Sequence, residues 1–209
     1  MLPSWYQHLV SHAHPGVRFL ALLVGYLVVF LIAVILSHLF LPEGVLRGRT
    51  TGGNLSLADS ESTVTLQILV YNLISVGIVT IASLFARRTS PSEPYVSVGQ
   101  QPLWILALLN GIVLGTNSFG IERPDVPLGE KMTGLLDLTS VAALWEIAGL
   151  VMISAALADK ALILTTGKET VKRSFADVPF TKRDLLLLVL ALSLMLTGAF
   201  IEARAIVAA

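Results

Sequence analysis

From Phe19 to Leu41 the chain reads FLALLVGYLVVFLIAVILSHLFL, twenty-three residues without one Lys, Arg, Asp or Glu. A helix of that length rises ~35 Å, enough to cross ~30 Å of hydrocarbon. Apolar all round, it has no face to offer water and must be enclosed by protein or lipid. Further long apolar runs follow, so a single buried core helix does not account for them. The candidate spans are about 18–41, 64–86, 102–118, 138–159 and 184–204. Their apolar residues are continuous rather than alternating, which predicts helices and not barrel strands.

Composition agrees. Hydrophobic residues make up 55% of the chain and charged ones 13%, against roughly 25% charged in soluble domains. Mean hydropathy is +0.79. The expected fold is all-α: a polytopic integral membrane protein, a five-transmembrane-helix bundle forming a single domain over 1–209. Residues 1–17 contain Trp5, Tyr6 and three histidines but no Lys or Arg, unlike the basic start of a signal peptide. Leu2, Trp5, Tyr6, Leu9 and Val10 recur at helical spacing, predicting a short interfacial helix with aromatic anchors.

Basic residues set the expected orientation. With the N-terminus cytoplasmic, nine of the fourteen Lys and Arg fall inside: Arg18, Arg87, Arg88, Lys160, Lys168, Lys172, Arg173, Lys182 and Arg183. Five fall outside, and that bias favours N-inside, C-outside in a prokaryotic cytoplasmic membrane. The connections 42–63, 87–101, 121–137 and 168–184 read as loops, with a turn at Gly52, Gly53 and Asn54. Thr181 and Asp184 have capping-box spacing ahead of the last span.

Several functions are disfavoured. Net charge is zero, so nucleic acid is not an expected partner. There is no cysteine, which removes disulfides, thiolate metal sites and cysteine nucleophiles. HExxH, G-x-S-x-G and Walker patterns are missing from the sequence. His8, His12, His14 and His38 have no neighbouring carboxylate or cysteine in sequence, so a metal site is not expected. No enzymatic activity and no cofactor are predicted.

The informative polar residue is Glu146, inside SVAALWEIAGLVMISAALA. Eight residues into its span, it would lie ~12 Å below the surface. An ionised carboxylate there costs ~2.5 kcal/mol upward, so it must find donors or bind a proton. Asn72 and Asn110 stand at matching depth on the second and third spans, and their amides are suitable donors. Ala142, Ala143, Gly149 and Ile153 share the face of Glu146 and are mostly small, which lets neighbouring helices approach. Gly111 and Gly115 form a GxxxG beside Asn110. A second carboxylate, Glu202, sits on a small-residue stripe near the end of the last span. The candidate intramembrane polar site is therefore Glu146, Asn72 and Asn110, with Gly111, Gly115 and Gly149 as packing positions.

The stretches ILVYNLISVGIVTIASLF (68–85), LALLNGIVLGTNS (106–118), ALWEIAGLVMISAALA (143–158) and GAFIEARAI (198–206) occur in an order that resembles the stage II sporulation protein M family of prokaryotic membrane proteins. The likeness spans about residues 60 to 206 and places Asn72, Asn110, Gly111, Gly115, Glu146 and Glu202 on family landmarks. Two departures stand out. AALWE replaces a frequent His-Gly pair before the glutamate, and Tyr71-Asn72 replaces a tandem Asn. The resemblance implies a membrane platform for partner proteins; in spore-formers, members join a peptidoglycan-remodelling complex. The expected function is accordingly a non-enzymatic membrane scaffold or complex subunit, in contact with lipid and with other membrane or envelope proteins. The alternative is a transporter or channel component whose polar site is formed by Glu146, Asn72 and Asn110. Oligomeric state is not readable from sequence.

Overall fold

A computed structural model of the chain describes residues 3–47, 60–118, 127–130, 138–178 and 180–207, with backbone alone at 138–141 and 205. The expected turn at 52–54, most of the loops 42–63 and 121–137, and Leu2 lie outside the described residues. The elements, in order, are α1 (Ser4–Val10), α2 (Pro15–Phe40), α3 (Glu61–Ser83), β1 (Phe85–Arg88), β2 (Val96–Ser97), α4 (Gln100–Gly115), α5 (Leu138–Leu157), β3 (Ile163–Thr166), β4 (Glu169–Lys172) and α6 (Lys182–Val207).

Helix ends follow local chemistry. Pro15 opens α2, and the His14 side chain accepts from Gly16 N. Such a start uses a residue with no N–H to satisfy and a fixed φ. Ser60 caps α3 by accepting from Thr63 N. At the start of α6, Thr181 N donates to Asp184 Oδ2 at 2.9 Å and Asp184 N donates to Thr181 Oγ1 at 3.2 Å. The predicted capping box forms.

Among the described residues, three helices are long and apolar enough to cross a membrane: Pro15–Phe40, Glu61–Ser83 and Lys182–Arg204. α4 and the described part of α5 are apolar but shorter; sixteen residues of α4 rise about 24 Å. On α2 the buried positions are Pro15, Arg18, Leu22, Tyr26, Phe30, Ala33, Val34 and Ser37, a single stripe at three- and four-residue steps. Its other faces expose Leu20, Val24, Val28, Ile32 and Leu36. Apolar surface on that scale marks a lipid or protein contact rather than a wet surface.

The helices associate as two tight pairs that meet chiefly where α2 touches α5, with α3 packed mainly on the second pair. α5 and α6 make the largest helix contact, α2 and α4 the next, and α3 lies against α6 and α5. Glycines permit both pairings. A Cβ on Gly111 would stand 2.6 Å from Phe30 O and from Ala33 Cβ, and one on Gly115 would stand 2.5 Å from Val34 O. Gly149 meets Ala191 O at 2.7 Å in the same sense. Those separations are available only to a residue without a side chain.

The sheet corrects the all-α expectation. Four short strands run in the order β2-β1-β3-β4 at the end of the bundle where α2, α4 and α6 begin. β1 and β3 pair in parallel, Phe85 with Ile163 through Arg88 with Thr166, while β2 and β4 flank them antiparallel. β2 and β4 fall inside the expected loops 87–101 and 168–184, β1 straddles the expected end of the second span at 86, and β3 lies between the fourth span and the loop 168–184. The physical reason is local. The β-branched residues Ile163, Thr165, Thr166, Thr170 and Val171 favour extended backbone. Gly167, at φ 58°, makes the tight turn between the paired Thr166 and Glu169. Parallel pairing needs a long crossover, and the chain through α4 and α5 supplies it.

Candidate functional site

Asn72, midway along α3, donates from Nδ2 to Glu146 Oε1 of α5 at 2.6 Å. Both residues are half-buried. The methylenes of Glu146 rest on α6: a Cβ at Gly198 would lie 2.7 Å from Glu146 Cγ and 2.9 Å from Ala142 O. The carboxylate therefore lies where α3, α5 and α6 meet, with an amide on one helix and a missing side chain on another holding its position. Glu202 is one turn beyond Gly198 on α6, half-buried and within electrostatic reach of Glu146.

Asn110 does not join them. Its Nδ2 donates to Tyr26 Oη of α2 at 3.0 Å, because α4 is packed on α2 and barely touches α5. The expected cluster of three is two separate pairs, Asn72–Glu146 and Asn110–Tyr26. Counted from the sheet-side helix ends, Tyr26 is eleven residues in, Asn110 ten, Asn72 eleven and Glu146 eleven. These counts correspond to a common height of ~15–17 Å, so the residues share a level but not a partner. Tyr26 is 1% exposed, whereas Asn110 is exposed on α4.

Glu146→Gln is expected to leave unfolding stability nearly unchanged, since the amide oxygen still accepts from Asn72. Glu146→Leu leaves the Asn72 N–H without its acceptor and is expected to cost about 1–3 kcal/mol. Denaturant titration of the purified protein in detergent separates the two.

A second polar group, not anticipated from sequence, ties the sheet end. Arg18 of α2, 1% exposed, places its guanidinium 3.3 Å from Asp159 Oδ1 and 3.6 Å from Asp184 Oδ1. Lys160 Nζ lies 2.8 Å from Asp184 Oδ2 and 3.3 Å from Asp159 Oδ1. Two cations and two carboxylates link the starts of α2 and α6 to the chain leaving α5. The signal was present in the sequence, as each of these residues stands at the boundary of an apolar run. A third group closes the far end: Asn117 Nδ2 donates to Glu43 Oε1 at 2.9 Å, and Leu46 N donates to Ser118 Oγ at 3.1 Å. Residues 116–118, expected to finish the third span, instead fasten the turn after α2.

Outside the spans, Tyr6 of α1 donates its hydroxyl to Ala21 O at 2.9 Å and stacks obliquely near Trp104. Burial pushes its pKa up to about 12, so the hydroxyl keeps its proton and the donor role at any physiological pH.

No family model, no curated protein and no solved structure matches this chain.

Proposed function

We propose that the chain is a non-enzymatic scaffold or subunit of a prokaryotic envelope complex, crossing the cytoplasmic membrane five times with its N-terminus inside. Three membrane-length helices and two shorter apolar ones alternate in direction, which suits five crossings. The basic residues gathered around the sheet suit a cytoplasmic position for that end. The resemblance to the stage II sporulation protein M family, carried by Asn72, Asn110, Glu146 and Glu202, supports the same reading.

One observation carries the scaffold role. Asn110 is an exposed amide at mid-height of an apolar helix, flanked by exposed Ile105, Leu108 and Leu109. Its bond to Tyr26 occupies one of its hydrogen-bonding positions. Acyl chains offer nothing to the rest of the amide, whereas a neighbouring protein helix can. An outward amide on a greasy face is what a lateral partner would recognise. The experiment is affinity purification from native membranes in mild detergent, comparing wild type with Asn110→Leu. A stoichiometric membrane partner retained by wild type and lost by the variant, at equal abundance of both, is the expected result. Equal recovery with both, or a partner-free wild type, contradicts it.

Transport is the second reading, favoured by the closeness of Glu146 and Glu202 within the helices, since paired carboxylates can share a proton or cation. Reconstituted vesicles decide it. Ion or proton flux in wild type that is abolished by Glu146→Gln would displace the scaffold reading.

A further inference from the structure

Across the sheet, Ser97, Ala86, Leu164 and Val171 are paired in one row, one residue from each strand. Directly paired residues point to the same face of a sheet. That face is turned toward the helices, because Ala86 and Leu164 line a cleft together with Ser11, Arg18 and Asp159. Cover is lost along the row. Ser97 and Ala86 are 1% and 2% exposed, Leu164 is half-buried, and Val171 is 55% exposed. β4 therefore extends beyond the helix ends, with an apolar side chain uncovered on the side that looks back along the bundle.

The chain leaving β4 keeps this apolar character. Phe175 opens a short 3-10 turn (Phe175–Asp177) and is 76% exposed. The turn is fixed in place: Ser174 N donates to Asp177 Oδ2 at 3.0 Å, and the Arg173 guanidinium donates to Ala161 O and Asp177 O at 3.4 and 3.0 Å. Phe180, and then Leu185 and Leu186 at the start of α6, are exposed as well. The same stretch exposes Lys168, Lys172, Lys182 and Arg183 against the carboxylates of Glu169 and Asp177. Apolar rings among long cationic side chains suit the headgroup level of a bilayer, where the rings enter the acyl boundary and the cations bend to the phosphates.

We propose that the β4 edge of the sheet and the turn after it lie on the bilayer surface, with Val171, Phe175 and Phe180 in the interfacial zone and Lys168, Lys182 and Arg183 at the lipid phosphates. This placement rests on the reading that the bundle crosses a membrane. Since α2, α4 and α6 all start at the sheet, the face turned toward the helices is then also turned toward the leaflet around them. Phospholipid is the occupant because the exposed apolar residues continue along the chain from Val171 into α6, a helix of membrane-crossing length, and because the surrounding charge is mainly positive.

The chain has no cysteine, so single nitroxide labels can be placed through Val171→Cys, Thr170→Cys, Phe175→Cys and Val189→Cys in the full chain. Each variant is reconstituted in vesicles of phosphatidylcholine and phosphatidylglycerol. Collisions with oxygen, which concentrates in lipid, and with a water-soluble nickel chelate read the surroundings of each label. Thr170 is exposed like Val171 but adjacent to it in the strand, and so lies on the opposite face. The oxygen-to-nickel ratio is expected to be several-fold higher at positions 171 and 175 than at 170. Val189, exposed further along α6, tests the crossing separately. A label at 189 surrounded by water would overturn the crossing, and this placement with it. A label at 189 in lipid, with 171 and 175 as water-accessible as 170, would overturn the placement alone and make the overhang a surface for a soluble partner. Equally high ratios at 170 and 171 would also overturn it, since the sheet would then be submerged rather than lying on the leaflet by one face.

Discussion

Arg18→Met is expected to destabilise the protein by about 3–5 kcal/mol, the usual cost of removing one member of a buried charge group. The substitution keeps most of the aliphatic volume and takes away the guanidinium between Asp159 and Asp184. Asp184, 2% exposed, would retain only Lys160 as a cationic partner. Because Asp159 is half exposed, water compensates it, and the loss falls mainly on Asp184. Adding Asp184→Asn to Arg18→Met restores charge balance and should recover part of the stability, so the two changes are expected to be non-additive. Denaturant midpoints of the two single variants and the double variant check this. A loss of under about 1 kcal/mol for Arg18→Met, the range of an exposed ion pair, would show that the group is solvated and does not tie the helices.

Gly111→Leu is expected to separate α2 from α4. The first atom of the new side chain would stand 2.6 Å from both Phe30 O and Ala33 Cβ, and a backbone oxygen cannot turn aside as a flexible side chain can. Overpacking of this kind costs about 1–3 kcal/mol and sometimes more; with main chain on the other side, the upper end applies. Secondary effects follow from the same displacement. Ser37 Oγ donates to Gly111 O at 3.4 Å, and Tyr26 receives the Asn110 amide one residue earlier. Both bonds should be lost together. Denaturant unfolding in detergent, comparing wild type with Gly111→Leu, measures the loss. Unchanged stability would show that the pair has slack that the contact distances do not suggest.

Much of the helical layout was legible because long apolar runs leave few options. The expected span 184–204 lies within Lys182–Val207, and 18–41 overlaps all but the first turn of Pro15–Phe40. The Thr181–Asp184 cap could be read from spacing alone because its two bonds are local. The sheet was missed because each strand is only two to four residues long. β1 and β3 also owe their pairing to partners far apart in sequence. The run ILTTGKETVK did carry a hairpin signal, β-branched residues on either side of a Gly-Lys turn, hidden by its position in a basic loop. At the candidate site, depth could be counted from sequence but lateral placement could not. Asn110 and Asn72 are similarly distant from their helix ends, and only the pairing of α4 with α2 directs Asn110 to Tyr26. Tyr26 itself gave no sign, being one aromatic residue in an apolar run.

The hydrogen bond between Asn72 and Glu146 ties α3 to α5 midway along both helices. A double-mutant cycle on Asn72→Leu, Glu146→Leu and the pair, read by denaturant unfolding in detergent, measures that link alone. Coupling of about 0.6–2 kcal/mol is expected, the range found for hydrogen bonds between membrane helices. Losses that simply add, to within about 0.3–0.5 kcal/mol, would mean that the carboxylate and the amide stabilise the fold independently, and the account of Glu146 as an internal fastening would be wrong.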